Sequence, residues 1–165
     1  MADALNEQIN KEMYSAYLYM AMSAHAEEIG LSGFANWFMV QYKEEMSHAM
    51  KIYRYIQEQG AKIVLKAIDK PPADYDSTLD MFKKTLAHEQ FVTKSINELV
   101  DLAVEEKDHA TQIFLQWFVT EQVEEEANDH EIIGKLEMIA DHSGGMFMLD
   151  KELGSRVFHD ETLEE

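Results

Sequence analysis

Glu12 stands 33 residues before Glu45, and Glu89 stands 33 residues before Gln122. Each later member opens an i, i+3 pair, Glu45 with His48 and Gln122 with Glu125. Side chains three residues apart share one face of a helix. Each half of the chain therefore offers one acid from a first helix and two oxygen or nitrogen donors from a second. Doubled, that set is what a two-metal centre inside a four-helix bundle requires. Carboxylates with one imidazole suit iron or manganese and also admit zinc. In such a bundle one metal takes Glu12, Glu45 and His48, and the other takes Glu89 and Glu125, with Glu45 bridging. Two ferrous ions held a few ångströms apart in this way can each give an electron to one dioxygen. Gln122 supplies a neutral amide where a second acid or imidazole is expected, so it binds weakly or only orients a bound oxygen species.

Four long helices must carry these groups. Leu5, Ile9, Glu12, Ala16, Tyr19 and Ser23 step by alternating fours and threes, the seam of a bundle helix running from Asp3 to Ile29. Gly30 and Gly33 break it, with Ser32 the expected N-cap of the next helix. Phe34, Phe38, Gln41, Glu45, His48, Ile52 and Tyr55 then carry the same step on to Gly60. Residues 60 to 76, with Pro71 and Pro72, show no helical period. At about 3.3 Å per residue they can run back along a helix some 40 Å long, leaving the second and third helices parallel. Leu79, Phe82, Leu86, Glu89, Thr93, Ile96, Val100 and Ala103 form a third seam, and Leu115, Phe118, Gln122, Glu125, Asp129, Ile132, Leu136 and Ile139 a fourth. Residues equidistant from a hairpin bend lie at one height, and the two 33-residue intervals are centred beside Gly30 and inside the polar run 105–109. The expected fold is all-α, a four-helix bundle with a long crossover between its second and third helices. A short fifth helix is expected from Met146 to Leu153.

One acid on a seam is ordinarily a helix contact whose head reaches solvent. Glu12, Glu45, Glu89 and Glu125 at one level are different, because buried like charges demand protons or cations, and the seams carry no Lys or Arg. Glu106-Lys107-Asp108-His109 repeats the Glu-x-x-His spacing but reads as a solvated turn. The histidines at 25, 88, 130, 142 and 159 default to the surface, and the eleven methionines read as core filler rather than haem ligands. Tyr19 and Trp117 fall near enough to exchange electrons with the centre. At 165 residues and 46% hydrophobic content the chain reads as one domain spanning 1–165. Its formal charge of −18 disfavours nucleic acid and anionic membranes and draws cations. The absence of cysteine removes disulfides and thiolate metal sites. With no signal-peptide pattern and no apolar run of about 20 residues, a cytoplasmic protein is expected.

Across nearly its whole length the chain resembles a ferritin of the prokaryotic, non-haem type. The residues that carry the resemblance are Leu5 to Ser15, Glu44-Glu45-Met46-Ser47-His48, His88-Glu89, Phe114 to Phe118, Glu121 to Glu126 and Leu149 to Leu153. The resemblance implies a ferroxidase centre, with Glu12, Glu45 and His48 at one iron, Glu45, Glu89, Gln122 and Glu125 about the other, and Tyr19 close by. It further implies a third iron site using Glu44, Glu121 and Glu124 with Glu125 shared, and a 24-subunit shell that stores ferric mineral. Dioxygen or hydrogen peroxide would be the oxidant, and no haem is implied. Two other readings are a soluble diiron oxidase or peroxidase that stores no metal, and a structural bundle whose seam acids are protonated.

Overall fold

The computed structural model describes residues 1–139, 143–160 and 162. Among them are five helices and no strand: α1 Ala2–Glu28, α2 Ser32–Glu58, α3 Thr78–Glu106, α4 His109–Ile139 and α5 Ser143–Leu153. The first two pack as one antiparallel hairpin and α3 with α4 as the other, giving the expected four-helix bundle. Both bends lie where the intervals between acids are centred. Gly30 takes a φ of +80°, which glycine adopts without steric cost. At the second bend Lys107 takes φ 59°, although it is not glycine. There Asp108 Oδ1 accepts the Thr111 amide at 3.0 Å and starts α4, while the Glu106 carboxylate pairs with the N-terminal ammonium at 3.0 Å. The second Glu-x-x-His is thus a turn, as its polarity indicates.

The crossover lies along α1. Asn6, near the start of that helix, donates to the Lys62 carbonyl and accepts from the Val64 amide at 2.8 Å. Near its end, His25 packs edge-on against Tyr75. From Asn6 to His25 a helix rises about 28 Å, so the connection returns to the end where α2 began and α3 starts alongside it. Ser77 then caps α3, its Oγ accepting the Asp80 amide at 3.0 Å.

Two features differ from expectation. Ser32 is the first residue of α2, and Leu31 precedes it with no side-chain cap of its own. The cap comes from a distant element: Asp150 Oδ1 on α5 accepts the amides of Gly33 at 2.8 Å and Phe34 at 3.1 Å. A capping oxygen supplied 117 residues away leaves no local signature. The contact also explains Gly33, because a Cβ there would sit 1.6 Å from the Asp150 carbonyl oxygen. The fifth helix begins at Ser143, three residues before the expected start, and takes in Gly144 and Gly145. Gly145 packs closely on Ile139, a Cβ there falling 2.9 Å from the isoleucine Cγ2.

Buried apolar side chains form two clusters. One, around Tyr19, Phe34, Phe38 and Phe82, faces α5, and the other gathers Ile9, Ile52, Ile96, Leu115 and Phe118 toward the far end. The acids lie between them. Asp150→Ala is expected to cost about 1–2 kcal/mol by uncapping α2, a fall in Tm of about 2–8 °C for a chain of this length. Thermal unfolding monitored by circular dichroism checks it, and faster exchange of the amides at 33 and 34 localises the effect.

Candidate metal centre

Glu12, Glu45, Glu89, Gln122, Glu125 and His48 are all buried, none more than 4% exposed. Their periodicity places them on inward faces, and the equal intervals to each bend set them at one level. Glu12, Glu45 and His48 each present a ligand atom, and these atoms lie within 4.8 Å of one another. Two of the oxygens, Glu12 Oε2 and Glu45 Oε2, have no hydrogen-bond partner. Burial, with the charges of Glu89, Glu12 and Glu125, holds the Glu45 carboxyl well above the ordinary carboxylate range. Buried carboxyl oxygens without partners, on residues whose ligand atoms converge, are what a cation satisfies.

The second hairpin is more fully hydrogen-bonded. Glu89 accepts a short hydrogen bond from the Tyr19 hydroxyl and another from Gln122 Nε2 at 3.1 Å. The Gln122 amide donates also to the Glu89 carbonyl and the Thr93 hydroxyl, so Gln122 orients Glu89. Burial and the neighbouring charge of Glu125 nonetheless push Glu89 up to about 8, against those two hydrogen bonds. Tyr19, fully buried, is raised well above 10, first by burial and then by the charges of Glu89, Glu45 and Asp129. Glu125 accepts from Gln41 Nε2 at 2.8 Å.

The residues expected to form a third site are only partly assembled. Glu121 converges with His48 and Glu125 to form a second trio within 4.8 Å. Glu44 instead takes the Arg156 guanidinium at 2.8 Å, and Glu124 is exposed. Trp117 stacks edge-on against His48, 5.3 Å between ring centres.

Several contributors escape the sequence patterns. Gln8 Nε2 donates to Glu12 Oε1 at 2.7 Å, while Gln8 Oε1 accepts from Ser95, which in turn accepts from Lys11. This chain fixes Glu12 from one turn away, and its i, i+4 spacing is the signal that could have found it. Arg156 bonds to both Gln41 and Glu44, so a basic group does approach the acids, from the segment after α5 rather than from a seam. Asp129 is a seam residue whose carboxyl is 1% exposed with neither oxygen partnered. Two histidines are not at the surface as expected. His88 is held by Ser15 at 2.7 Å between aromatic rings, and burial lowers it to about 4; His25 is half-buried against Tyr75. His130 and His159 are exposed, and His142 lies outside the described residues.

A bundle with carboxylates and imidazole converging on its axis defines the ferritin-like class. The family model described as Ferritin-like domain matches residues 2–139, and the chain belongs to that family. A bacterial non-heme ferritin of Staphylococcus aureus is 44% identical over 161 residues, 98% of this chain and 97% of that protein. One from Staphylococcus saprophyticus is 45% identical over 158 residues, covering 96% of this chain and 95% of that protein. An open-pore ferritin from the hyperthermophilic archaeon Archaeoglobus fulgidus superposes with a TM-score of 0.95 at 49% identity, over 95% of this chain and 97% of that one.

The raised Glu89 carboxyl gives a pH test. Its folded value of about 8 exceeds the ordinary 4.5, so the folded state retains a proton that the unfolded state loses. This group's contribution is fully present below its unfolded value and is lost as pH rises through its folded value. In metal-free protein, Glu89→Gln removes that dependence, and the Tm difference, variant minus wild type, is expected to grow between about pH 5 and about pH 8. A difference constant across the range contradicts the assignment.

Proposed function

We propose that the protein is an iron-storing ferritin that oxidises Fe(II) at a diiron centre and deposits ferric mineral within a 24-subunit shell. The observation that carries the reading is the buried trio Glu12, Glu45 and His48, whose ligand atoms converge while one oxygen of each glutamate has no hydrogen-bond partner. Iron is the substrate. Two Fe(II) give one electron each to dioxygen, which takes up two protons to leave hydrogen peroxide; with peroxide as oxidant the same two electrons and two protons give two waters.

Glu12, Glu45 and His48 bind the first ion, and Glu45, Glu89 and Glu125 the second, with Glu45 between them. Gln8 holds one oxygen of Glu12, leaving the other toward the ion. Gln122 and Tyr19 hold Glu89, and the neutral Gln122 makes that half the weaker binder, which favours passage of iron over retention. The Tyr19 hydroxyl, hydrogen-bonded to Glu89, supplies a further electron to the dioxygen or peroxide being reduced at the centre, its proton passing to Glu89. Glu121, Glu44 and Glu124 receive a third ion, with Glu125 shared; the convergence of Glu121 with His48 and Glu125 supports the first of these. No haem is required.

Residues 1–165 act as one domain in a cytoplasmic protein, and no helix among the described residues is long and apolar enough to cross a membrane. Association with further copies is supported by an apolar groove of about 660 Å³ between α4 and α5, bordered by Met138, Ile139, Met148 and Leu149. Met138 and Met148 in the groove are each more than 60% exposed, as is Phe147 elsewhere on α5, a surface better covered by another subunit.

Replacing Glu45 and His48 together by alanine is expected to abolish rapid Fe(II) oxidation in stopped-flow absorbance, a loss of about two orders of magnitude or more. Unchanged rates would remove the diiron assignment. Light scattering coupled to size-exclusion chromatography separates the storage reading from a diiron oxidase or peroxidase that keeps no mineral: a closed shell of 24 is expected, and a dimer would favour the latter.

A further inference from the structure

Asp129 has no place in the ligand set described above. It follows Glu125 by four residues on α4, one turn or about 6 Å along the axis, and lies on the same inward face. Its side chain is 1% exposed and both carboxyl oxygens lack a partner. Gln41 lies on the antiparallel α2, four residues before Glu45, and its Nε2 occupies one oxygen of Glu125. That bond turns Glu125 Oε2 toward the layer in which Asp129 stands. The Arg156 guanidinium nearby is engaged by Gln41 and Glu44. Two carboxyl groups one turn apart thus face a layer whose seams carry no basic side chain, and neither oxygen of Asp129 is satisfied there.

We propose that Asp129 and Glu125 together hold a further cation, a ferric ion that has left the diiron pair, on the α5 side of the centre. The proposal rests on the reading of Glu125 as a ligand of the second iron. Asp129 belongs to neither trio of converging ligand atoms, so the ion it holds is additional. The position is built from oxygen alone, unlike the trio with His48, and anionic oxygen ligands select hard cations. Ferric ion, the product, is harder than the ferrous substrate. Binding replaces the Gln41 hydrogen bond on Glu125, and Glu125 then joins the outgoing ion to the vacated position. The electrostatic surroundings agree: burial and the charges of Glu89 and Glu125 push Asp129 up to about 9, with Arg156 opposing and Glu126 adding to the rise.

Terbium(III), trivalent, hard and redox-inert, is the probe. Metal-free assembled protein is titrated with it by calorimetry and by tyrosine-sensitised luminescence, Tyr19 lying near enough to Asp129 to feel its charge. Wild type is expected to bind about one more ion per subunit than Asp129→Asn, which should also lose the tyrosine-sensitised signal of that ion. Asp129→Asn replaces an unpartnered carboxyl with a neutral group of the same shape, so its Tm should not fall, and Asp129→Ala gives the same count if asparagine disturbs the packing. Equal counts in wild type and both variants, including none in any, overturn the proposal. Failure of the diiron reading is seen separately, as undiminished iron oxidation in the Glu45→Ala, His48→Ala protein.

Discussion

Four glutamates occupy one layer of a closed helical bundle, and the seams around them carry no Lys or Arg. Removing an unpaired carboxylate from water costs several kcal/mol even after relaxation, and a whole domain is stable by only about 5–15 kcal/mol. An empty layer with every acid ionised would therefore offset most of the folding free energy. Protons relieve part of that strain, as the raised Glu45, Glu89 and Asp129 carboxyls indicate. Cations relieve it more completely, because one ion satisfies several oxygens together. Metal binding and stability are thus two aspects of the same electrostatic problem.

The rest of the molecule holds that layer in place. Large apolar clusters on either side make the bundle rigid enough that the acids cannot move to solvent. Amides do the fine positioning: Gln8 on Glu12, Gln122 on Glu89 and Gln41 on Glu125 each donate one hydrogen to one oxygen. A neutral donor fixes a carboxylate without neutralising it, so the charge remains available to iron. Arg156 is the exception, a full charge at the margin, and it reaches Glu44 rather than the central acids. The fifth helix contributes through Asp150, which locks it to the start of α2, while its Leu149 and Leu153 pack into the core and Phe147 and Met148 stay exposed.

Most of the fold was legible because helical period, breakers and equal intervals are local or nearly local signals. Every seam residue named for α1 and α2 is buried. The seam of α3 was less well placed: Phe82, Glu89, Ile96 and Ala103 are buried, but Thr85, Val92, Ser95 and Leu99 share the inward face while Leu79, Leu86, Thr93 and Val100 are only half-buried. A helix clamped on two sides buries a stripe wider than a single seam. What the pattern missed depends on contacts distant in sequence, namely the Asp150 cap, the Arg156 approach and the burial of His88 by Ser15, Tyr14 and Tyr19. Asp129 was visible as a seam position, yet only the three-dimensional structure reveals that nothing partners it.

On the proposed reading, the buried acids hold two irons side by side. Crystals soaked anaerobically in Fe(II) and measured across the iron absorption edge test it directly. Two anomalous peaks are expected a few ångströms apart on the bundle axis, one among Glu12, Glu45 and His48 and the other between Glu89 and Glu125. A bundle axis without peaks, with iron only on the acidic exterior, would contradict it.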